Sequence, residues 1–159
     1  MASQDRDRVV ALSLQLARAH DELRGRITRL RANMGERADD VTLVAHCLAF
    51  CAALRTHHRG EDTGMFADLL RERPDLAGTV AKLVEDHELV ASILSRIAEL
   101  ADDATRSHGT ALEAIGRELD GLAALLESHF AYEQRAIGGA LDSAARDMVW
   151  HDTVFRFLC

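Results

Sequence analysis

Apolar residues recur every three or four positions along most of this 159-residue chain. That period is typical of amphipathic α-helices, and the alternating pattern of β-strands is absent from the sequence. The period breaks at three predicted loops, which are residues 35–40, 73–75 and 102–109. The predicted helices are residues 3–34, 41–71, 76–100 and 110–137. The chain is therefore predicted to be all-α.

The predicted helices are similar in length and their loops are short, which favours an up-down-up-down four-helix bundle. The pair Gly138-Gly139 is predicted to end the last helix, because glycine commonly follows a helix C-terminus. A chain of 159 residues can form one domain with a sizeable core. We assign residues 1–140 to the bundle and residues 141–159 to a short helical tail that packs on it.

Composition argues against several other classes of protein. The 26 Asp and Glu outnumber the 19 Lys and Arg, and the net charge of −7 disfavours a nucleic-acid-binding module. No apolar run approaches the roughly 18 residues of a membrane span, and the charged N-terminus lacks the apolar core of a signal peptide. Three Cys are too few for a disulfide framework. We expect a cytoplasmic monomer or weak dimer that binds neither nucleic acid nor membranes.

Histidine is abundant, with eight residues beside five Phe, one Tyr and one Trp. Each predicted helix carries at least one His on its apolar line, and two helices add a Glu four residues after a His, on the same face. In the first three helices, the number of residues between this His and the loop to the neighbouring helix differs between neighbours by about one turn or less. The His of neighbouring helices are therefore predicted to lie at similar heights in the bundle. The pattern predicts that six side chains meet in one layer: His20, His57, Glu61, His87, His129 and Glu133.

Two buried carboxylates need compensating positive charge. Burial of an unpaired carboxylate is costly unless it binds a metal or an opposite charge, and Lys and Arg are absent from the inner lines near the layer. Imidazole and carboxylate ligands suit iron, manganese or zinc. We favour two ions bridged by Glu61 and Glu133, with the His as terminal ligands. The alternative is a set of hydrogen-bonded polar core residues without a metal.

The order of these residues resembles the hemerythrin-like (HHE cation-binding) domain. The matching motifs are His20, 57-HHRGE-61, 86-DH-87 and 129-HFAYE-133, and the resemblance covers about residues 15–140. It implies a non-heme di-iron site in a four-helix bundle, with the same six side chains as ligands. It also implies dioxygen, hydrogen peroxide or nitric oxide as the molecules that are bound, sensed or converted.

Two positions depart from the dioxygen-carrying members of that family. Those proteins have a second His one turn after the third-helix His, where this chain has Ala91. They also end the motif with an Asp five residues after the last His, whereas Glu133 follows His129 at four. The missing His would open a coordination position, which favours redox turnover over reversible carriage.

The neighbour of His57 is a further candidate ligand. An ideal helix rotates His58 by about 100° from His57 and points it sideways. Some relatives use this position as a ligand, and Gly60 and Gly64 permit local distortion of the helix. Two alternatives stay open for His58, a metal ligand or a group beside the ligands or at the surface.

Other candidates receive simpler interpretations. Tyr132 is predicted either to pack or to lie beside the metal ligands as a hydrogen-bond donor. His46 lies on the inner line but about 16 Å along the helix from His57, too far for one site. Cys47 and Cys51 are expected to be buried thiols. Neither the Glu-x-x-His pattern of ferritin-like proteins nor the His-Glu-x-x-His pattern of zinc proteases occurs.

The resulting hypothesis is a non-heme di-iron protein that binds or reacts with dioxygen or peroxide. As an enzyme it would be an oxidoreductase, either catalase-like or an oxygenase acting on an unidentified organic substrate. The alternatives left open are a module for oxygen or iron sensing or storage, and a bundle that a metal only stabilises.

Overall fold

The computed structural model describes residues 10–34, 40–106, 110–143 and 149–158. Every regular element in these ranges is helical, which confirms the all-α class. The elements are α1 (Leu12–Met34), α2 (Asp40–Gly60), a π-helical turn (Glu61–Met65), α3 (Phe66–Glu72), a 3-10 turn (Pro74–Leu76), α4 (Ala77–Arg106), α5 (Thr110–Ser143) and α6 (His151–Arg156). Within the described ranges, no helix combines the length and apolar character needed to cross a membrane.

Two predicted helix ends are wrong, and one helix predicted as continuous is interrupted. The second predicted helix is interrupted by the π turn, α4 continues past residue 100 to Arg106, and α5 continues through Gly138-Gly139 to Ser143. Two glycines inside a helix cost about 1 kcal/mol each relative to alanine. Burial of Ile137, Ala140 and Leu141 in an apolar cluster offsets that cost. Residues 3–9 of the predicted first helix lie outside the described residues, and α1 begins at Leu12.

The four long helices pack in a closed ring of neighbours. Helix α1 contacts α5 and α2, and α4 contacts the same two helices. The pairs Arg24–Glu127 and Arg31–Asp120 step in opposite directions along α1 and α5, so these two helices are antiparallel. The side-chain pairs Asp86–His129 and Arg96–Glu118 likewise step in opposite directions along α4 and α5, so these two helices are also antiparallel.

Two separate apolar clusters fill the interior. The first contains Leu23, Leu54, Val90 and Leu126 among others. The second contains Leu16, Met65, Leu83 and Ile137 among others. On each long helix, the predicted polar positions fall between a residue of one cluster and a residue of the other. A polar layer therefore divides the core in two.

The C-terminal segment, residues 149–158, packs across α1, α2 and the π turn. Val154 is fully buried in this contact and Trp150 is nearly so. The segment thus lies directly beside the end of α2 that carries His57 and beside the π turn that begins at Glu61.

Candidate metal centre

The structure brings all six predicted side chains into the buried polar layer. The four most enclosed, His20, His57, Glu61 and Glu133, have no solvent exposure. His87 and His129 are exposed by 4% and 2%. The sequence prediction that these residues converge is therefore correct in space.

The two Glu side chains lie at the centre of the layer, each between His residues of different helices. Glu61 Oε1 is 2.9 Å from His57 Nε2, and Glu61 Oε2 is 3.3 Å from His87 Nε2. Glu133 Oε2 is 3.6 Å from His20 Nε2 and 3.4 Å from His129 Nε2. Each carboxylate thus contacts imidazoles from at least two different helices.

His58 also points into the layer, and the surface alternative for it is wrong. Its side chain is buried, and its ring stacks on that of His87 with a centroid distance of 3.8 Å. Its Nε2 is buried without a hydrogen-bond partner. One nitrogen each from His58, His87 and His129 lies within 4.8 Å of the other two.

The π turn accompanies this arrangement. It begins at Glu61, one turn after His57, and the α-helix resumes at Phe66. π turns are rare in proteins, and those that occur lie frequently at functional sites. The adjacent pair His57-His58 followed by two glycines is the only sequence signal for it, and that signal does not specify a π turn.

Hydrogen bonds fix the orientation of the four imidazoles on the predicted lines. His57 Nδ1 donates to the carbonyl oxygen of Val154 at 2.7 Å. Because a carbonyl oxygen only accepts, the proton of neutral His57 lies on Nδ1, and the Nε2 lone pair faces Glu61. The other three bonds join His20 Nδ1 to Gln134 Oε1 at 2.8 Å, His87 Nδ1 to Asp62 Oδ1 at 2.7 Å and His129 Nδ1 to Asp86 Oδ2 at 3.1 Å.

These four outward partners are not identified from the sequence. Asp62 and Asp86 are adjacent to ligand positions in the chain, which is the only signal for them. Each of them reaches a His on a different helix. The partner of His57 is a backbone atom and leaves no trace in the residue types.

Aromatic rings restrict the imidazoles further. The ring of His20 stacks on Phe130, with a centroid distance of 4.0 Å and an interplanar angle of 12°. The guanidinium of Arg24 also lies over the Phe130 ring, 5.3 Å from its centroid. His20 therefore has little rotational freedom.

The layer is rich in acceptors and poor in donors. Within the described residues, seven buried side-chain atoms have no hydrogen-bond partner, and all belong to the layer: Nε2 of His20, His57 and His58 and both carboxylate oxygens of Glu61 and Glu133. The buried polar residues of the described ranges include no Lys or Arg. Unsatisfied acceptors that converge on one space fit a bound cation.

The pKa shifts of Glu61 and Glu133 show how these two buried carboxyl groups affect each other and the nearby imidazoles. Burial raises the pKa of Glu61, but the charge of His57 and the close approach of the His20 and His57 nitrogens outweigh this and hold it well below its usual range. Burial and the charge of Glu61 raise the pKa of Glu133 to about 7. The two carboxyl groups therefore resist being ionised together, and a bound cation removes that conflict.

The imidazoles differ among themselves. Burial lowers the pKa of His20 to about 4, and burial together with the charge of His87 lowers that of His58. For His57 and His129, burial lowers the pKa, but neighbouring carboxylates outweigh it, so the pKa of His57 rises and that of His129 reaches about 9. A neutral imidazole is the form that binds metals.

A surface cavity of about 330 Å³ adjoins the layer. His58 and His87 contribute to its wall, and so does Ala91. Arg55 and Arg59 flank the cavity on α2. A small molecule in this cavity would contact His58 and His87 at the edge of the layer.

Other sequence candidates lie elsewhere. Tyr132 packs on the second apolar cluster beneath the ammonium group of Lys82, 5.8 Å from the ring centroid. The expectation that His46 faces inward is wrong, since His46 is exposed while Cys47 and Phe50 take the inner positions. Cys47 and Cys51 are buried free thiols, as expected.

The fold and this layer define a helical protein with a buried His and carboxylate cation-binding site. A family model, that of the hemerythrin HHE cation-binding domain, matches residues 13–141, and the chain belongs to this family. Searches of curated proteins and of solved structures each gave no significant match. The C-terminal segment lies beyond the matched range.

Proposed function

We propose that this protein is a non-heme di-iron protein in an up-down-up-down four-helix bundle, and that it reacts with peroxide or dioxygen. One observation carries the proposal. Seven buried polar atoms from two Glu and three His converge without hydrogen-bond partners, which supports cations at the centre of the layer. Membership of a cation-binding family supports the same conclusion.

The ligand atoms divide into two groups. His20, His57 and Glu61 offer three atoms within 4.8 Å of one another, and His58, His87 and His129 offer another three. Glu61 and Glu133 also group with His87, so both carboxylates are within reach of the second group. We assign one ion to each group and a bridging role to the two Glu.

Iron bound there would supply redox chemistry toward dioxygen or peroxide at an open ligand position. The chain itself contributes orientation and exclusion of water. Asp62 and Asp86 hold His87 and His129 with Nε2 directed inward, as such outward partners commonly do. The apolar clusters on both sides keep bulk water from the layer.

The cavity beside His58 favours reaction with small molecules over a purely structural metal. Its volume of about 330 Å³ and its small Ala91 wall suit peroxide or dioxygen. We therefore propose peroxide dismutation as the first activity to test. Oxygen or iron sensing without turnover is the alternative, because the same cavity would admit a sensed molecule.

Metal analysis with an optical spectrum before and after peroxide tests the proposal. We expect about two irons per chain and oxygen evolution from peroxide. Glu133→Ala should abolish this activity, whereas Glu127→Ala, an exposed position on the same helix, should retain it. A single zinc per chain with no charge-transfer absorption would overturn the di-iron proposal. A reversible spectrum without oxygen evolution would support the sensing alternative.

A further inference from the structure

We propose that the C-terminal segment is a working part of the metal centre: it positions His57, and its docking is coupled to metal binding. The inference rests on the proposed cation site, and it concerns residues outside the family match. It makes Val154 a positioning residue that acts through its backbone carbonyl.

The first observation is the contact between Val154 and His57. The carbonyl oxygen accepts a hydrogen bond from Nδ1 at 2.7 Å, in a place where both residues are fully buried. Of the four imidazoles on the predicted lines, His57 is the one whose outward partner lies in the C-terminal segment. Undocking of the segment would leave Nδ1 free to lose its proton to Nε2, which is the wrong tautomer for binding a cation beside Glu61.

The second observation is a surface shaped to receive the segment. A Cβ atom added at Gly64 would lie 2.6 Å from Trp150 Cβ, and one added at Gly60 would lie 2.8 Å from Thr153 Cγ2. Both distances are shorter than real Cβ contacts, so any side chain here would displace the segment. The two glycines, one turn apart, allow the close approach that the His57 hydrogen bond requires.

Further contacts hold the two ends of the segment. At one end, Trp150 Nε1 donates to Asp68 Oδ2 at 2.6 Å. At the other, Phe157 adopts a left-handed backbone with φ of 59° and presents its ring edge-on to His57, with a centroid distance of 5.7 Å. Arg26 of α1 lies over the Phe157 ring at 5.3 Å. A non-glycine residue in this backbone conformation is unusual, and these ring contacts account for its retention.

Coupling follows from linkage. If a docked segment improves metal binding, metal binding must stabilise docking by the same factor. The chain contains one Trp, and it is Trp150 within the segment. Its fluorescence therefore reports docking directly.

The test uses the full chain, freed of metal and titrated with Zn²⁺, which avoids quenching by iron. We expect Zn²⁺ to shift Trp150 emission to shorter wavelength and to reduce its quenching by acrylamide. Gly64→Ala should weaken Zn²⁺ binding about 10- to 100-fold, the usual loss when an outward partner of a ligand His is removed. It should also change the visible ligand-field spectrum of the Co²⁺-loaded protein, which a loss of stability alone would not do.

Gly121→Ala is the matched control, because Gly121 lies on the exposed side of α5 with open space around it. Asp68→Ala is a second variant, which loosens Trp150 without adding a side chain to the contact surface; it decides the question should Gly64→Ala fail to fold. The coupling would be overturned if Zn²⁺ bound without changing the quenching of Trp150 and if the folded variant bound Zn²⁺ with wild-type affinity. That result would leave the cation site standing. No Zn²⁺ binding by the wild type would overturn the cation site itself, and the coupling with it.

Discussion

Asp62 and His87 are joined across two elements, since Nδ1 of His87 on α4 donates to Oδ1 of Asp62 in the π turn at 2.7 Å. Asp86 accepts from His129 of α5 in the same way. The imidazoles on this side of the layer thus rest on carboxylates, whereas His20 and His57 donate to uncharged oxygens. An anionic partner makes an imidazole a stronger ligand, so the two ion positions are expected to differ in affinity.

Loss of the Asp62 carboxylate should weaken cation binding only at the position formed by His58, His87 and His129. In Asp62→Asn the hydrogen bond to His87 can persist while the negative charge disappears. We expect the affinity for one of two Zn²⁺ ions to fall about tenfold, with the other unchanged, as measured by calorimetric titration. Asp120→Asn on the exposed face of α5 is the control. An equal loss at both positions would contradict the asymmetry.

Glu133→Gln should have opposite effects on the metal-free and metal-loaded protein. Gln is uncharged and carries an NH₂ donor, which would serve the surrounding unpaired acceptors. At nearly the same volume, Gln also removes the repulsion between Glu133 and the charge of Glu61, which together with burial raises the pKa of Glu133. We expect thermal unfolding of the metal-free variant at a higher temperature than wild type, together with loss of tight metal binding. A metal-free variant less stable than wild type would contradict this electrostatic explanation.

His58→Ala tests whether the second His of the adjacent pair is a ligand. If it is, the metal content should fall by about one ion per chain, because the His58–His87–His129 group loses one of three nitrogens. His46→Ala is the control, since His46 is an exposed imidazole on the same helix. Full metal content in His58→Ala would reduce His58 to a packing partner of His87.

A larger side chain at Ala91 should slow access to the site. Ala91→Phe would fill part of the cavity beside His58 and His87. We expect slower binding of azide to the iron-loaded protein in stopped-flow measurements, with unchanged metal content. Ala81→Phe, at an exposed position of the same helix, should leave the rate unaltered. Equal rates in both variants would indicate a different entry route.

Chelation should destabilise the protein. A ligand present at 100 times its dissociation constant adds about 2.7 kcal/mol to the free energy of unfolding. For a domain of this size, 1 kcal/mol shifts the unfolding temperature by about 2–4 °C. We expect calorimetry to show a fall of several degrees after metal removal, reversed by adding metal back. An unchanged unfolding temperature would argue against tight binding.

Much of the layer can be predicted from the sequence, because its members obey helical periodicity. His20 and His87 interrupt apolar lines, and the pair His129 and Glu133 projects from one face. Periodicity is a property of single helices, so it needs no knowledge of the packing between them. The helical class is predicted for the same reason.

The missed features depend on contacts between elements. The inward direction of His58 accompanies a π turn whose position no local pattern specifies. The hydrogen bond from His57 to Val154 joins residues 97 positions apart through a backbone atom. Continuation of α5 through Gly138 depends on what the neighbouring residues bury, which outweighs their weak helical propensity.

The polar layer that separates the two apolar clusters has a consequence for assembly. The two clusters lie on opposite sides of the layer, and the ligand set is complete only when all four long helices have met at this boundary. Metal uptake would then be a late event that only the finished bundle can perform. A metal-loaded molecule would be one whose two halves have been joined in the correct register.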